Sequence, residues 1–201
     1  MRINVRQTIG AALLLLTGAY PLSAQEEQDT TYALILSGGG GFTRNVSVFG
    51  EIPGGLDQMG FSGTVRLMWK PEYLVRAGLE TGYTHIYTIT TPPIVTSAGT
   101  SEAKGKLTAI PIQLLLSMPL WEDFELYGGA GIYIVNSHLE GFGTSLDQTV
   151  VSMGNTFALS YSRPIAQDMR LGTEVKWLYM DKFQDNNITV HLMLYYTFSK
   201  Y

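Results

Sequence analysis

Hydrophobic and polar residues alternate along most of the chain beyond residue 30, a period typical of β-strands whose two faces meet different surroundings. The last of these stretches shows the alternation most clearly, with apolar residues on one face: Val190, Leu192, Leu194, Tyr196 and Phe198. The same template predicts about eight strands, near residues 31–42, 60–70, 73–89, 105–118, 124–139, 149–163, 169–181 and 188–198.

The predicted strands are long, and the connections between them alternate in length. Strands of soluble proteins average about five or six residues, whereas strands that cross an outer membrane need about 9–11. Short connections that hold a proline and an acidic residue are predicted at 70–72, 119–123 and 164–168. Longer polar connections are predicted at 43–59, 90–104, 140–148 and 182–187. This organisation predicts an all-β fold, an eight-stranded antiparallel up-and-down transmembrane β-barrel with short periplasmic turns and longer extracellular loops.

Aromatic residues lie near the ends of the apolar faces, where a barrel carries its interfacial girdles. These residues are Trp69, Tyr73, Trp121, Phe124, Tyr161, Trp177, Tyr196 and Phe198. A soluble β-sandwich with an aromatic core is the alternative interpretation. It explains neither the strand lengths nor the alternation of the connections as well as a barrel does.

The opposite faces carry charged residues of both signs, which we expect to form a polar network in the lumen. The predicted members are Arg66, Arg76, Glu80, Glu125, Arg170, Glu174 and Lys176. An eight-stranded barrel is only wide enough for side chains to fill its interior, so these charges must pair with one another. We favour a structural plug of ion pairs, and a proton or ion path is the alternative.

The N-terminus has the layout of a secretory signal peptide. Arg2 and Arg6 precede a short apolar run over residues 9–16, and the small pair Ser23-Ala24 precedes a polar stretch. We therefore expect a signal peptide over 1–24 cleaved after Ala24, a short polar segment over 25–30 and the barrel domain over 31–201. A membrane anchor is the alternative, although the apolar run is much shorter than the ~20 residues of a spanning helix.

Composition excludes several classes of partner and cofactor. The net charge of -4 provides no basic field for nucleic acid, and charged residues make up only 15% of the chain. The chain has no cysteine, which excludes disulfides, thiolate zinc sites and iron–sulfur clusters. We expect no cofactor and no bound metal.

Four consecutive glycines follow Ser37, and such a stretch can cradle a phosphate or an oxyanion. A dinucleotide-binding loop needs G-x-G-x-x-G, but Thr43 and Arg44 stand where the third glycine would be. The stretch also resembles the oxyanion loop of patatin-like lipases, yet the sequence lacks the complete G-x-S-x-G nucleophile motif. We therefore expect Gly38–Gly41 to bend the first strand and to make room for His191 and Tyr195 on the last strand.

The three histidines show no ligand spacing for a metal. His85 and His138 fall toward the predicted outer ends of their strands, and Ser137 precedes His138. Outer-membrane lipid A deacylases place a histidine and a serine at this level, so a lipid hydrolase is one hypothesis. Polar residues at the membrane rim are the interpretation that we prefer.

The exported eight-strand pattern resembles the small outer-membrane β-barrel proteins of the OmpA/OmpX type, within the porin-like group. The resemblance rests on GFSGTVRLMWKPEYLVRAGLETGY (60–83), AIPIQLLLSMPL (109–120), LYGGAGIY (126–133) and HLMLYYTF (191–198). It implies residence in the outer membrane of a Gram-negative cell envelope, contact with lipid and lipopolysaccharide, and a monomer. It also implies that the barrel-assembly machinery reads a C-terminal signal, here Leu194, Tyr196 and Phe198, with Tyr201 as the alternative terminal aromatic.

The sequence leaves three hypotheses for function. The first is a non-enzymatic barrel whose surface loops act in envelope integrity, adhesion or protection. The second is a narrow pore or a conduit for small hydrophobic molecules, because small inward residues could leave cavities; these are Gly78, Gly82, Gly129, Gly131, Gly154, Ala158 and Gly172. The third is the outer-leaflet lipid A hydrolase.

Overall fold

The computed structural model describes residues 32–47, 55–71, 74–96, 99–141 and 144–200. The predicted signal peptide with its cleavage site at Ala24, the polar segment 25–30, Tyr73 and Tyr201 lie outside the described residues.

Eight long strands make up most of the described chain. They are β1 (Ala33–Asn45), β3 (Met59–Lys70), β4 (Arg76–Thr90), β7 (Lys104–Trp121), β8 (Phe124–Gly141), β9 (Thr144–Ala166), β10 (Met169–Met180) and β11 (Asp185–Lys200). Three short strands lie in the connections at the outer end: β2 (Gly55–Asp57), β5 (Ile94–Thr96) and β6 (Gly99–Ser101). Strands β5 and β6 pair with each other as a small hairpin.

The eight long strands close into an antiparallel barrel. Each strand pairs with its neighbours in chain order, and β1 pairs with β11 to complete the ring. One circuit along Cα partners starts at Leu34 and returns to Arg44, ten residues further along the same strand; the partners are Trp69, Ala77, Leu116, Gly128, Phe157, Trp177 and Ile188. This shear of ten tilts the strands and leaves a narrow interior.

The two faces of the barrel wall are reversed relative to a water-soluble protein. Apolar side chains point outward and are exposed, such as Leu114 at 61% and Phe157 at 54%. Polar side chains point inward and are buried, such as Glu174 and Thr156 at 0%. An exposed apolar band around a polar interior is the arrangement of a barrel surrounded by lipid. Among the described residues, no helix is long and apolar enough to cross a membrane.

Two of the four connections predicted to be long are short, because the strands continue instead. Strands β8 and β9 stay paired up to Gly141 and Thr144, within the predicted connection 140–148. Only residues 181–184 separate β10 from β11, although 182–187 was the predicted loop. The long outer connections are therefore 46–58 and 91–103.

Pro119 and Pro164 were predicted to lie in turns, but they lie inside strands β7 and β9. The turns themselves are residues 122–123 and 167–168. Proline cannot donate to the ladder, and a register shift lies beside each of the two prolines. The first shift follows Pro119 on β7, and the second lies between Met169 and Arg170 on β10, opposite Pro164. Such bulges let a strand continue past a missing N–H group.

Apolar side chains also fill parts of the lumen. An outer cluster consists of Ile86, Leu107, Ala109, Tyr133, Val135, Leu178 and Met180. An inner cluster, toward the periplasmic end, consists of Met68, Leu115, Tyr127 and Ala158. Each cluster covers only part of the lumen wall, since buried Asn187 and Asp185 lie opposite Leu178 and Met180 of the outer cluster.

Candidate functional site

Four of the seven charged residues predicted for the lumen meet at the centre of the barrel, and we call them the ion cluster: Arg66, Glu80, Glu174 and Lys176. Arg66 Nη1 lies 2.8 Å from Glu174 Oε2, and its Nε donates to Glu80 Oε2 at 2.8 Å. Lys176 Nζ lies 2.7 Å from Glu80 Oε1 and 3.2 Å from Glu174 Oε1. The two positive and two negative charges balance, and the four side chains are 0–2% exposed.

The strand register explains why these residues meet. Arg66 on β3 is the direct Cα partner of Glu80 on β4. Glu174 and Lys176 are two residues apart on β10, so they share its inward face and reach across the lumen. The ring of Tyr127 lies below Arg66, with its centroid 4.0 Å from the guanidinium carbon. The cluster therefore links opposite walls and occupies the path through the barrel.

The other three predicted members lie apart from the ion cluster, toward the periplasmic end. Arg76 Nη1 lies 2.8 Å from Glu125 Oε1, and both side chains are about one-fifth exposed. Arg170 Nη2 lies 3.3 Å from Asp123 Oδ1. These contacts form two separate rim pairs and do not extend the central network.

A second polar group of the lumen does not stand out in the sequence. Thr156 Oγ1 donates to Gln113 Oε1 at 2.7 Å and lies 3.0 Å from the hydroxyl of Tyr133. These three side chains are uncharged, and only the inward parity of their positions on β7, β8 and β9 signals that they could meet. The group borders the outer apolar cluster, to which Tyr133 also belongs.

The glycines of β1 allow close approach of the backbone of β11. A Cβ at Gly39 would overlap the carbonyl oxygen of Leu192 and the sulfur of Met193. A Cβ at Gly41 would overlap the carbonyl oxygen of Val190. The expectation that these glycines make room for the rings of Tyr195 and His191 needs correction, because the crowding atoms are mainly backbone.

The inward glycines of the other strands likewise abut neighbouring backbone rather than open space. A Cβ at Gly131 would overlap the carbonyl oxygen of Ile112, and a Cβ at Gly154 would overlap that of Tyr179. The expectation that small inward residues leave cavities at these positions is therefore wrong. A tightly curled wall brings neighbouring strands together on the inside.

On the outer wall, the lipid-facing rows of β7, β8 and β9 change from apolar to polar at one pairing line. Ile110, Ile134 and Val151 are the last apolar residues of their rows. The next residues of these rows toward the outer end of the barrel are Thr108, Asn136 and Thr149, which are also cross-strand partners. Beyond this line the strands continue with a polar outward-facing row, whereas the other face of the β8–β9 extension carries the exposed pair Leu139 and Leu146.

A pocket of about 430 Å³ lies on this outer wall, immediately beyond the change, and we call it the rim pocket. Its lining includes Tyr83, Lys106, Asn136, His138, Asp147 and Thr149. Thr149 Oγ1 donates to Asn136 Oδ1 at 2.9 Å, and His138 Nδ1 lies 2.6 Å from Asp147 Oδ1. The hydrogen bond to Asp147 raises the pKa of His138, which lies outside the membrane-spanning part of β8.

Two of the residues named for a lipid hydrolase, Ser137 and His138, both border the rim pocket, but their side chains leave β8 in different directions. His138 points to the outer wall with its carboxylate partner, whereas the adjacent Ser137 projects from the opposite face of β8, because successive strand residues alternate. His85 Nε2 contacts Thr88 Oγ1 at 3.0 Å. Within the described ranges, no group of three or more histidine and acidic residues could hold a metal ion.

The proposed C-terminal signal residues lie on the lipid-facing side of β11. Leu194, Tyr196 and Phe198 are 40%, 45% and 47% exposed. Their recognition by the barrel-assembly machinery stays a prediction.

Comparisons with known proteins place the fold. No protein-family model matches the chain, and no curated protein sequence matches it. Among solved structures, Ail, the attachment invasion locus protein of Yersinia pestis in complex with the heparin analogue sucrose octasulfate, superposes with a TM-score of 0.54 at 13% identity, covering 83% of this chain and 99% of that one. Neisserial surface protein A gives a TM-score of 0.44 at 12% identity and covers 85% and 98% of the two chains.

The closed ring of eight strands, its shear, its exposed apolar band and the superposition on Ail agree with one another. The chain therefore has the fold of the small eight-stranded β-barrel proteins of the bacterial outer membrane.

Proposed function

We propose that the protein is a non-enzymatic, monomeric barrel of the outer membrane whose exposed outer end acts in envelope integrity, adhesion or protection. The barrel-assembly machinery inserts it, and outer-membrane lipid and lipopolysaccharide surround it. The observation that carries the proposal is the filled lumen. The ion cluster is 0–2% exposed, and the outer apolar cluster lies beyond it along the same path.

The outer end of the barrel offers an exposed polar surface for recognition, which the filled lumen does not. Strands β7, β8 and β9 continue past the apolar band, and β8 and β9 remain paired from Asn136 and Thr149 to Gly141 and Thr144. A paired sheet holds its polar side chains in fixed positions, as a recognition surface requires. The fold of Ail, an attachment protein by name, accords with such a role.

Shortening the β8–β9 hairpin tests this proposal. Replacing residues 139–146 by Asn-Gly keeps His138 opposite Asp147 and closes the hairpin with a two-residue turn. We expect the variant to keep its heat-modifiable mobility on gels, because the apolar band is untouched, and to lose adhesion or serum survival of cells that display it. The matched control is Gln167→Asn with Asp168→Gly, which changes a two-residue turn at the other end of the barrel.

The proposal fails if the shortened variant folds and surface behaviour is unchanged, or if the control produces the same loss. Planar-bilayer recording of the unaltered protein provides a second test. A filled lumen predicts a silent, fully inserted protein, and stable single-channel steps would contradict it.

A conduit for small hydrophobic molecules is the second candidate, and one feature of the wall favours it. The β4–β7 ladder pairs Thr81 with Ile112 and then Thr84 with Ala109, so it skips the two positions that include Pro111. Proline donates no hydrogen bond, so the wall is weakened there. Ala109 also belongs to the outer apolar cluster, so an apolar interior borders the weakened wall.

Pro111→Val restores a donor at this position and tests the conduit. If small hydrophobic molecules pass through the wall here, cells carrying the variant should take up a hydrophobic fluorophore several-fold more slowly than cells carrying the unaltered protein. Pro119→Val, in the same strand near the periplasmic end, is the matched control. Equal uptake by all three would remove this candidate.

A further inference from the structure

The position and the lining of the rim pocket indicate that it binds a ligand. It begins where the lipid-facing rows of β7, β8 and β9 turn polar, so its lower edge faces hydrocarbon and its upper part faces head groups and water. A molecule seated there must be amphiphilic. The exposed side chains of Ile110, Ile132 and Val151 lie below the pocket and suit acyl chains.

The polar lining suits a sugar more than a simple phospholipid head group. Asn136, Thr149 and Asp147 offer amide, hydroxyl and carboxylate groups, which hydrogen-bond to sugar hydroxyls. Tyr83 ends the lipid-facing row of β4 and offers an aromatic ring against which a pyranose can pack.

The lining also contains positive charge. Lys106 extends from β7 opposite His138 on β8, and both residues line the pocket. The contact with Asp147 favours the protonated form of His138. A phosphate group between Lys106 and His138 would meet two donors, and charge-assisted hydrogen bonds to phosphate are among the strong ones.

We propose that the rim pocket binds the phosphorylated saccharide head group of an outer-leaflet glycolipid, with Lys106 on the phosphate and Asn136, Asp147 and Thr149 on the sugar. This inference rests on the proposed placement in the outer membrane, and it names a partner for the outer wall of the barrel. It needs neither an open lumen nor an adhesive role.

The test uses the full-length mature protein in phosphatidylcholine nanodiscs, titrated with lipid A while the backbone amide signals of residues 106, 136 and 147 are followed by NMR. We expect saturable shifts at these positions. Lys106→Gln should raise the half-saturating lipid A concentration about fivefold, the effect of losing one exposed charge contact. Lys104→Gln, on the same face two residues further out, is the matched control and should change it less than twofold.

Two further lipids separate the sources of binding. Phosphatidylglycerol carries a phosphate without a sugar and should not saturate the pocket, and lipid A lacking its phosphates should bind several-fold more weakly. Equal effects of Lys106→Gln and Lys104→Gln, or equal binding of phosphatidylglycerol, would overturn the proposal. Channel activity of the unaltered protein would contradict the proposed function and leave this inference standing, so the two failures are distinguishable.

Discussion

At the scale of single residues, the ion cluster shows how charges are tolerated at the centre of a membrane protein. Each carboxylate contacts both Arg66 and Lys176, so no member is left with an uncompensated charge. Burying an ion is costly, and mutual pairing together with hydrogen bonds offsets this cost. The cluster therefore makes the barrel sensitive to the loss of any one member.

Arg66→Met should destabilise the folded barrel strongly, because it leaves Glu80 and Glu174 with only Lys176 between them. The expected loss is about 3–5 kcal/mol of unfolding free energy, the range for removing one partner of a buried pair. Urea titration in lipid vesicles, read by heat-modifiable gel mobility, measures it. Arg76→Met removes the rim partner of Glu125, which is about one-fifth exposed, and should cost about 1 kcal/mol or less. Equal losses for the two variants would contradict the structural role of the ion cluster.

The pair of His138 and Asp147 should titrate at the outer surface. Because the hydrogen bond that His138 donates to Asp147 favours the charged imidazolium, the pKa of His138 should lie above its ordinary value of 6.5. The imidazolium is then fully formed below that value, and its contribution to the pair is lost as pH rises through the raised pKa. NMR titration of the His138 ring measures the shift, and Asp147→Asn should reverse it. Glu140 also raises the pKa and Lys106 lowers it, so Lys106→Gln should move it further upward.

At the scale of elements, the alternating pattern was sufficient to predict the strands but not how far they extend. Strand faces follow from a period of two, which the sequence displays directly. Strand ends depend on pairing, and Gly141 and Thr144 remain strand residues because each has a partner across the hairpin. Pro119 and Pro164 suggested turns because proline cannot donate to the ladder. In the structure a register shift beside each proline lets the strand continue, and no residue pattern in β7 or β9 predicts that shift.

The candidate site was predictable only in part. Charge and inward parity marked Arg66, Glu80, Glu174 and Lys176, but the ring register decided that they meet while Arg76 and Arg170 do not. The rim pocket required three strands to turn polar at the same pairing line. That alignment depends on shear, which no single stretch of the sequence encodes.

The close pairing of β1 with β11 should depend on the glycines of β1 that face the lumen and not on those that face outward. Gly39→Ala places a methyl group against the carbonyl oxygen of Leu192 and the sulfur of Met193, so we expect a loss of about 1–3 kcal/mol or slowed closure of the barrel. The control is Gly38→Ala, whose Cβ would meet only the carbonyl oxygen of Thr64, at 3.7 Å. Refolding kinetics into lipid vesicles compare the two. Matching behaviour would show that the glycines do not set the approach of the two strands.

At the scale of the whole molecule, the exposed apolar band fixes how deeply the barrel sits in the membrane. The lipid-facing row of β7 runs from Leu116 through Leu114, Ile112 and Ile110 to Thr108. In a barrel of this kind, an arginine on the lipid face costs most at the bilayer midplane and little at the interface. The row therefore acts as a depth scale on one strand.

An arginine scan of this row should show the depth directly. Leu114→Arg should cost about 2–4 kcal/mol, and Thr108→Arg, at the outer edge beside the rim pocket, should cost about 0–1 kcal/mol. Unfolding free energies in phosphatidylcholine vesicles provide the measurement. If the two costs were equal, the apolar band would not be the membrane-facing surface, and the rim pocket would lose its place at the level of the head groups. A steep gradient that ends at Thr108 would instead place the pocket where a glycolipid presents its sugars.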